Sequence, residues 1–141
     1  MDKKRIMVVD DDEAFTRIVR LTLEQTGRYD VRVAHLGHEV MPAVREFQPH
    51  LILLDVILPD VDGCELGTQI KADAAMSGIP IVFLTGLATG QKSVPSGFMR
   101  HGFRFVGKVM GAQELLRCVE ENLQTPTCGS TGPEAPSDNK L

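Results

Sequence analysis

Leu51-Ile52-Leu53-Leu54-Asp55-Val56-Ile57-Leu58-Pro59 is the stretch on which the fold turns. Its first four residues are apolar without alternation, the pattern of a strand covered on both faces, and such strands belong to parallel sheets flanked by helices. An aspartate ends the run abruptly. Four other short runs share the strand character: Arg5 to Val9, Asp30 to His35, Pro80 to Leu84 and Phe103 to Gly107, beside His50 to Leu54 itself. They alternate with helix-like segments, so the chain reads as an α/β fold. Ile81-Val82-Phe83-Leu84 is again apolar throughout, as in a central strand, whereas Val31-Arg32-Val33 alternates and suits an edge.

Between the strands, Phe15, Ile18, Val19, Thr22 and Leu23 form one helical stripe, with Asp12 placed to cap its start and Gly27 its end. A second helix should turn Val40, Val44 and Phe47 inward and hold Pro42 in its first turn. A third should span about Gly63 to Ala74 and a last one about Ala112 to Leu123. From Gly86 to Gly102, Gly86, Gly90, Gly97 and Pro95 oppose helix formation, at roughly 1 kcal/mol per interior glycine and about 3 for the proline, so a fourth helix there should be short, irregular or mobile. The stretch after Gln124, rich in Pro, Gly, Ser and Thr, lacks the apolar residues to order itself and reads as a disordered tail or linker stub over 125–141.

The 141 residues suit one domain, and with 43% hydrophobic and 24% charged residues the composition excludes collagen-like, disordered and membrane classes. A formal net charge of -4 gives no attraction to polyanions, so direct nucleic-acid binding is not expected. Lys3-Lys4-Arg5 precedes too short an apolar run for a signal peptide or membrane span, and a cytoplasmic location is expected. Cys64, Cys118 and Cys128 are widely spaced and read as free thiols.

Chemistry concentrates at the ends of the strands. Asp10 and Asp11 follow the first strand and Asp55 ends the third. Two carboxylates about 4 Å apart repel by roughly 4 kcal/mol at an effective dielectric of 20, so gathering three requires a cation. Oxygen-only ligands favour a hard metal, and Mg2+ accepts one or two carboxylates together with phosphate oxygens. Thr85 ends the fourth strand and Lys108 follows the fifth, a hydroxyl and an ammonium suited to the oxygens of a phosphoryl group. Taken singly, each of these residues has an ordinary explanation as a helix cap, a turn residue or a solvated charge.

Together they resemble the receiver domain of two-component response regulators, over about Lys4 to Leu123. Val8-Val9-Asp10-Asp11-Asp12, Leu53-Leu54-Asp55-Val56-Ile57-Leu58-Pro59, Asp62-Gly63, Phe83-Leu84-Thr85-Gly86 and Lys108 stand in that family's order. The resemblance implies a flavodoxin-like, doubly wound five-stranded parallel sheet of strand order 2-1-3-4-5, in a receiver domain over 1–124. It implies that Asp10, Asp11, Asp55 and the backbone carbonyl of Ile57 hold Mg2+ and that Asp55 is the nucleophile that becomes an aspartyl phosphate. Thr85 and Lys108 would sense the phosphoryl group, and Phe105 would be the aromatic that moves on switching. The implied partners are a histidine kinase or phosphotransfer protein and a downstream effector protein or domain, with a homodimer left open. The chain would act as a phosphoacceptor switch and not as a turnover enzyme.

Three departures qualify the resemblance. Val109 follows Lys108 where the family usually has proline, commonly after a cis peptide; a cis bond before a non-proline residue costs roughly 2.5 to 4 kcal/mol, so a trans bond and a displaced or mobile lysine are expected. The glycine-rich segment after Thr85 should alter the output face. Ile57 and Leu87 offer no side chain to orient an attacking water, so a bound phosphoryl group should hydrolyse slowly. Of the competing readings, an aspartate-nucleophile phosphatase of the haloacid dehalogenase type lacks its acid at Ile57, and a flavin module would suffer repulsion between phosphate and Asp10-Asp11-Asp12. A degenerate receiver serving as a phosphorylation-independent scaffold stays open. His35, His38, His50 and His101 are not expected to be ligands or catalysts.

Overall fold

The computed structural model describes residues 3–86, 98–100, 103–108 and 111–124. In chain order these form β1 (Lys4–Val9), α1 (Glu13–Glu24), β2 (Tyr29–Ala34), α2 (Val40–Phe47), β3 (Leu51–Asp55), α3 (Gly63–Ala72), β4 (Ile81–Thr85), β5 (Phe98–Arg100), β6 (Phe103–Gly107) and α4 (Ala112–Gln124), with a single 3₁₀ turn at Gly37–Glu39 leading into α2. β2, β1, β3, β4 and β6 lie side by side in that order, every neighbouring pair parallel. This is the expected five-stranded order, with β6 as its fifth parallel strand.

The sixth strand was not foreseen. β5 pairs antiparallel with β6, Phe98 opposite Phe105 and Arg100 opposite Phe103, and forms the edge of the sheet. Only two residues separate β5 from β6, a link long enough for a hairpin but not for a crossover, so opposite directions are forced. Within the segment between 86 and 102, where a short or irregular fourth helix was expected, Phe98–Arg100 is strand; residues 87–97 and 101–102 lie outside the described residues, as does the tail over 125–141.

Every residue of β3 and β4 is buried, which is why their sequences do not alternate. One face of the sheet sends Ile6, Val8, Leu51, Leu53, Val82 and Leu84 against Val19 and Leu23 of α1 and Leu115 and Val119 of α4. The opposite face sends Met7, Val9, Ile52, Leu54, Ile81 and Phe83 against Val40 and Val44 of α2 and Leu66 and Ile70 of α3. α1 departs in phase from the expected stripe. It buries Thr16, Val19 and Leu23, and leaves Ile18 62% exposed, because one step along a helix rotates a side chain by about 100°.

Local bonds fix the positions of the strand ends. Arg5 and His50 clasp the start of β3 to β1: the Arg5 N–H donates to His50 Nδ1 at 2.9 Å, and the His50 N–H donates to the Arg5 carbonyl at 2.7 Å. Burial, then the charges of Arg5 and Lys4, lowers the His50 pKa and keeps that nitrogen available as an acceptor. At the other end of β3, α3 begins almost against the strand. The Gly63 N–H donates to the Val56 carbonyl at 2.8 Å, and a Cβ on Gly63 would collide with the backbone oxygens of Asp55 and Val56. Gly63→Ala is expected to lower unfolding free energy by about 1 to 3 kcal/mol, while Gly78→Ala, whose Cβ would enter open space, should shift it by less than about 0.5 kcal/mol; urea denaturation of both variants checks this.

Candidate functional site

Parallel pairing brings the carboxyl ends of the strands to one edge of the sheet. Val9 pairs with Leu54, Asp55 with Leu84 and Thr85 with Gly107, so Asp10, Asp55, Thr85 and Lys108 arrive at the same level on four adjacent strands. Asp10 is fully buried and Asp55 is 6% exposed, whereas Asp11 is exposed. One carboxylate oxygen from each of the three lies within 4.8 Å of the others, the one such acidic group among the described residues.

Each carboxylate has a distinct role in this cluster. Asp10 Oδ1 accepts the Asp12 N–H at 2.9 Å, which folds the chain back at the end of β1. Asp10 Oδ2 is the buried side-chain oxygen among the described residues that has no hydrogen-bond partner of good geometry, and the ammonium of Lys108 stands 2.7 Å from it. Asp55 Oδ1 accepts the Ile57 N–H at 3.3 Å, and its Oδ2 lies 3.9 Å from the same ammonium. Asp12 stays outside the cluster and caps α1, its Oδ1 accepting the Phe15 N–H at 3.1 Å, as its sequence position suggested.

Burial raises the Asp55 carboxyl to about 6, and the neighbouring charge of Asp10 pushes the same way, against the Ile57 N–H and Lys108, which pull it down. Burial works to lower the Lys108 pKa, but its contact with Asp10 and the charge of Asp55 outweigh it, and the net shift is upward. The cluster thus holds more negative charge than one ammonium neutralises. An all-oxygen set with a buried oxygen lacking a directed donor fits a hard divalent cation.

The expected displacement of Lys108 does not occur. Its N–H donates to the Thr85 carbonyl at 2.9 Å, which anchors the backbone at the end of β4, and its long stem carries the charge to the buried Asp10. The Lys108–Val109 peptide itself lies outside the described residues, as do Leu87 and His101. Thr85 is buried at the strand end. Phe105 stacks on the buried Phe83 ring with centroids 5.0 Å apart and planes at 23°. The side chain of Ile57 is 57% exposed, two residues beyond Asp55.

Two features had no sequence signal. The Phe15 ring, read only as part of an apolar stripe, has its centroid 4.8 Å from the Lys108 ammonium. Asp60, 22 residues from His38, accepts the Gly37 N–H at 2.7 Å and the His38 N–H at 2.9 Å, with His38 Nδ1 at 3.0 Å, tying the loop after β3 to the turn before α2. The Gly37 N–H above all, with the His38 donors, lowers the Asp60 pKa to about 2. These two long-range contacts join residues whose own neighbours in sequence are unremarkable.

The raised Asp55 value fixes a pH dependence. The folded pKa, about 6, exceeds that of the unfolded carboxyl, near 3.8, so the native state holds the proton more tightly and stability falls as pH rises from about 4 to beyond 6. In metal-free buffer Asp55→Asn should be more stable than wild type at pH 7.5, by about 1 to 2 kcal/mol after allowance for solvent screening, and the gain should vanish near pH 4; urea titrations at both pH values check it.

Residues 6–120 match the family model described as response regulator receiver domain. The DNA-binding response regulator MtrA of Mycolicibacterium smegmatis is 34% identical over 122 residues, which cover 86% of this chain and 51% of MtrA. The DNA-binding dual master transcriptional regulator RpaA of Synechocystis is 33% identical over 120 residues, 85% of this chain and 49% of RpaA. The chain spans about half the length of these curated relatives. Among solved structures, the CheY-like response regulator receiver domain protein from Methanospirillum hungatei gives a TM-score of 0.71 at 32% identity, covering 86% of this chain and 94% of that one. A response regulator from Desulfuromonas acetoxidans gives 0.73 at 26% identity, covering 86% and 97%. With the strand order, the acidic cluster and these matches in agreement, the chain belongs to the response regulator receiver domain family, whose general function is phosphorylation-dependent signalling.

Proposed function

We propose that this receiver is a phosphoacceptor switch: Asp55 takes a phosphoryl group in a Mg2+-dependent reaction, and the change is read by a downstream effector protein or domain. The observation that carries the reading is the Asp10, Asp11 and Asp55 cluster with the Lys108 ammonium 2.7 Å from Asp10 and 3.9 Å from Asp55. A carboxylate oxygen of Asp55 attacks phosphorus, the bond from phosphorus to the donor breaks, and the leaving group keeps the electron pair. The donor is a histidine kinase or phosphotransfer protein. Bound by Asp10, Asp11, Asp55 and the Ile57 carbonyl, Mg2+ would offset the negative charge that gathers as phosphoryl and carboxylates meet.

The switch then follows from the chain's own groups. A phosphoryl group on Asp55 adds charge and acceptor oxygens beside Lys108 and at the end of the strand next to Thr85, drawing the ammonium from Asp10 and engaging the Thr85 hydroxyl. Both residues terminate strands whose middles carry the Phe83–Phe105 stack, so a shift at the strand ends reaches Phe105 and biases one packing over another. The chain acts as a switch and not as a turnover enzyme, and it does so in the cytoplasm; no described helix is long and apolar enough to cross a membrane. The net charge of -4 supports signalling through a protein partner and not through direct nucleic-acid contact by this domain.

Incubation with acetyl phosphate tests the assignment. Wild type should become labelled only with Mg2+, Asp55→Asn should not, and Asp10→Asn should need at least about tenfold more Mg2+. Label persisting in Asp55→Asn would move the site elsewhere. Because Ile57 is apolar and cannot orient water, the phosphoprotein should decay over minutes or longer at neutral pH; a half-life of seconds, read by acid-quenched gel assay, would overturn that part.

A further inference from the structure

The Lys108 ammonium rests on three groups, only two of them acidic. It lies 2.7 Å from Asp10 Oδ2, 3.9 Å from Asp55 Oδ2 and 4.8 Å from the centroid of the Phe15 ring, and its side chain is 20% exposed. A cation at that distance from an aromatic face is attracted by the ring quadrupole, more strongly where water is largely excluded. Phe15 is itself held in place. It sits in the first turn of α1, its N–H capped by Asp12, and its side chain packs against the apolar core on the α1 and α4 face of the sheet.

We propose that Phe15 is a positioning residue for the switch: its ring seats the Lys108 ammonium on Asp10 and so sets how readily the ammonium yields that oxygen to a divalent cation and turns to a phosphoryl group on Asp55. The inference rests on the reading of Asp55 as phosphoacceptor and of the acidic cluster as the cation site. Asp10 Oδ2 is buried and has no directed hydrogen bond, so the ammonium is its compensating charge. A divalent cation binding Asp10 must displace that charge or share the oxygen with it. Metal affinity is therefore an exchange, weakened by everything that holds the ammonium, and the ring of Phe15 belongs to that total.

Phe15→Leu keeps an apolar side chain of similar bulk and removes the quadrupole; Phe15→Tyr keeps the ring. Two measurements on the full chain decide the matter. In the metal-free protein, the Lys108 ε-methylene proton resonances should be displaced upfield by the ring in wild type and in Phe15→Tyr, and should return toward ordinary lysine values in Phe15→Leu. By calorimetric titration with MgCl2, Phe15→Leu should bind about three- to tenfold more tightly than wild type and Phe15→Tyr within about twofold of it. In a Lys108→Met background the same Phe15→Leu change should leave Mg2+ affinity unaltered, since a purely structural effect of Phe15 would persist there. Should Phe15→Leu melt early, Phe15→Met replaces it in both measurements.

An undisplaced Lys108 resonance in wild type, or an equal change in affinity with and without the lysine, overturns the proposal. Failure of acetyl phosphate to label wild type would instead remove the phosphoacceptor reading while leaving the Lys108 resonance to decide the role of Phe15.

Discussion

A carboxylate with no access to water, Asp10, faces a lysine ammonium at 2.7 Å, and the arrangement of the strand ends depends on that contact. An ionised acid in such a place is tolerated only if charge and hydrogen bonds replace its lost hydration. The Asp12 N–H serves one oxygen and Lys108 the other. Those two partners arrive from the residue that starts α1 and from the end of β6, so satisfying one buried group requires that the first strand, the first helix and the last parallel strand meet at one point. Asp55 adds a second buried acid close by, and the burial and repulsion that raise its pKa express a local excess of negative charge.

The scaffold around this point is stiff where the site needs it. β3 and β4 are covered on both faces, their starts fixed by bonds such as the Arg5 and His50 pair, and α3 is brought against Asp55 by the absence of a side chain at Gly63. Precise placement of a carboxylate on a strand end is easier than on a loop, because the ladder bonds fix its backbone on both sides. The Phe83 and Phe105 rings then lie directly beneath the strand ends, where small shifts of Thr85 or Lys108 have a packed partner to push on.

Sequence made the periodic and the local parts legible. Leu51 to Leu54 announced a strand buried on both faces, and the capping aspartate at position 12 announced where α1 begins, since both signals are carried by adjacent residues. The acidic residues could be grouped because the parallel fold brings strand ends together whatever lies between them. What failed depends on geometry that no short window encodes. Ile18 and Val19 differ by one position yet point a third of a turn apart, and only the docking of α1 decides which is covered. The seat of Lys108 on Asp10 and Phe15 spans about the whole fold in sequence. The hairpin of β5 and β6 sits where glycines and a proline dominated the reading, and the aromatic residues at 98, 103 and 105 supplied a competing preference for strand.

The clasp at Asp60 has a mechanical consequence for the loop after β3. With its pKa near 2, this carboxylate stays ionised across any pH a cell presents, so its grip on the Gly37 and His38 N–H groups does not loosen with acidity. The far end of the loop is pinned to the turn before α2, and its near end is continuous with Asp55. Between those two fixed points stands Ile57, exposed and bridged across the loop to Asp62. The segment is thus a short span clamped at both supports, and it holds an apolar side chain out in solvent at a fixed place two residues beyond Asp55.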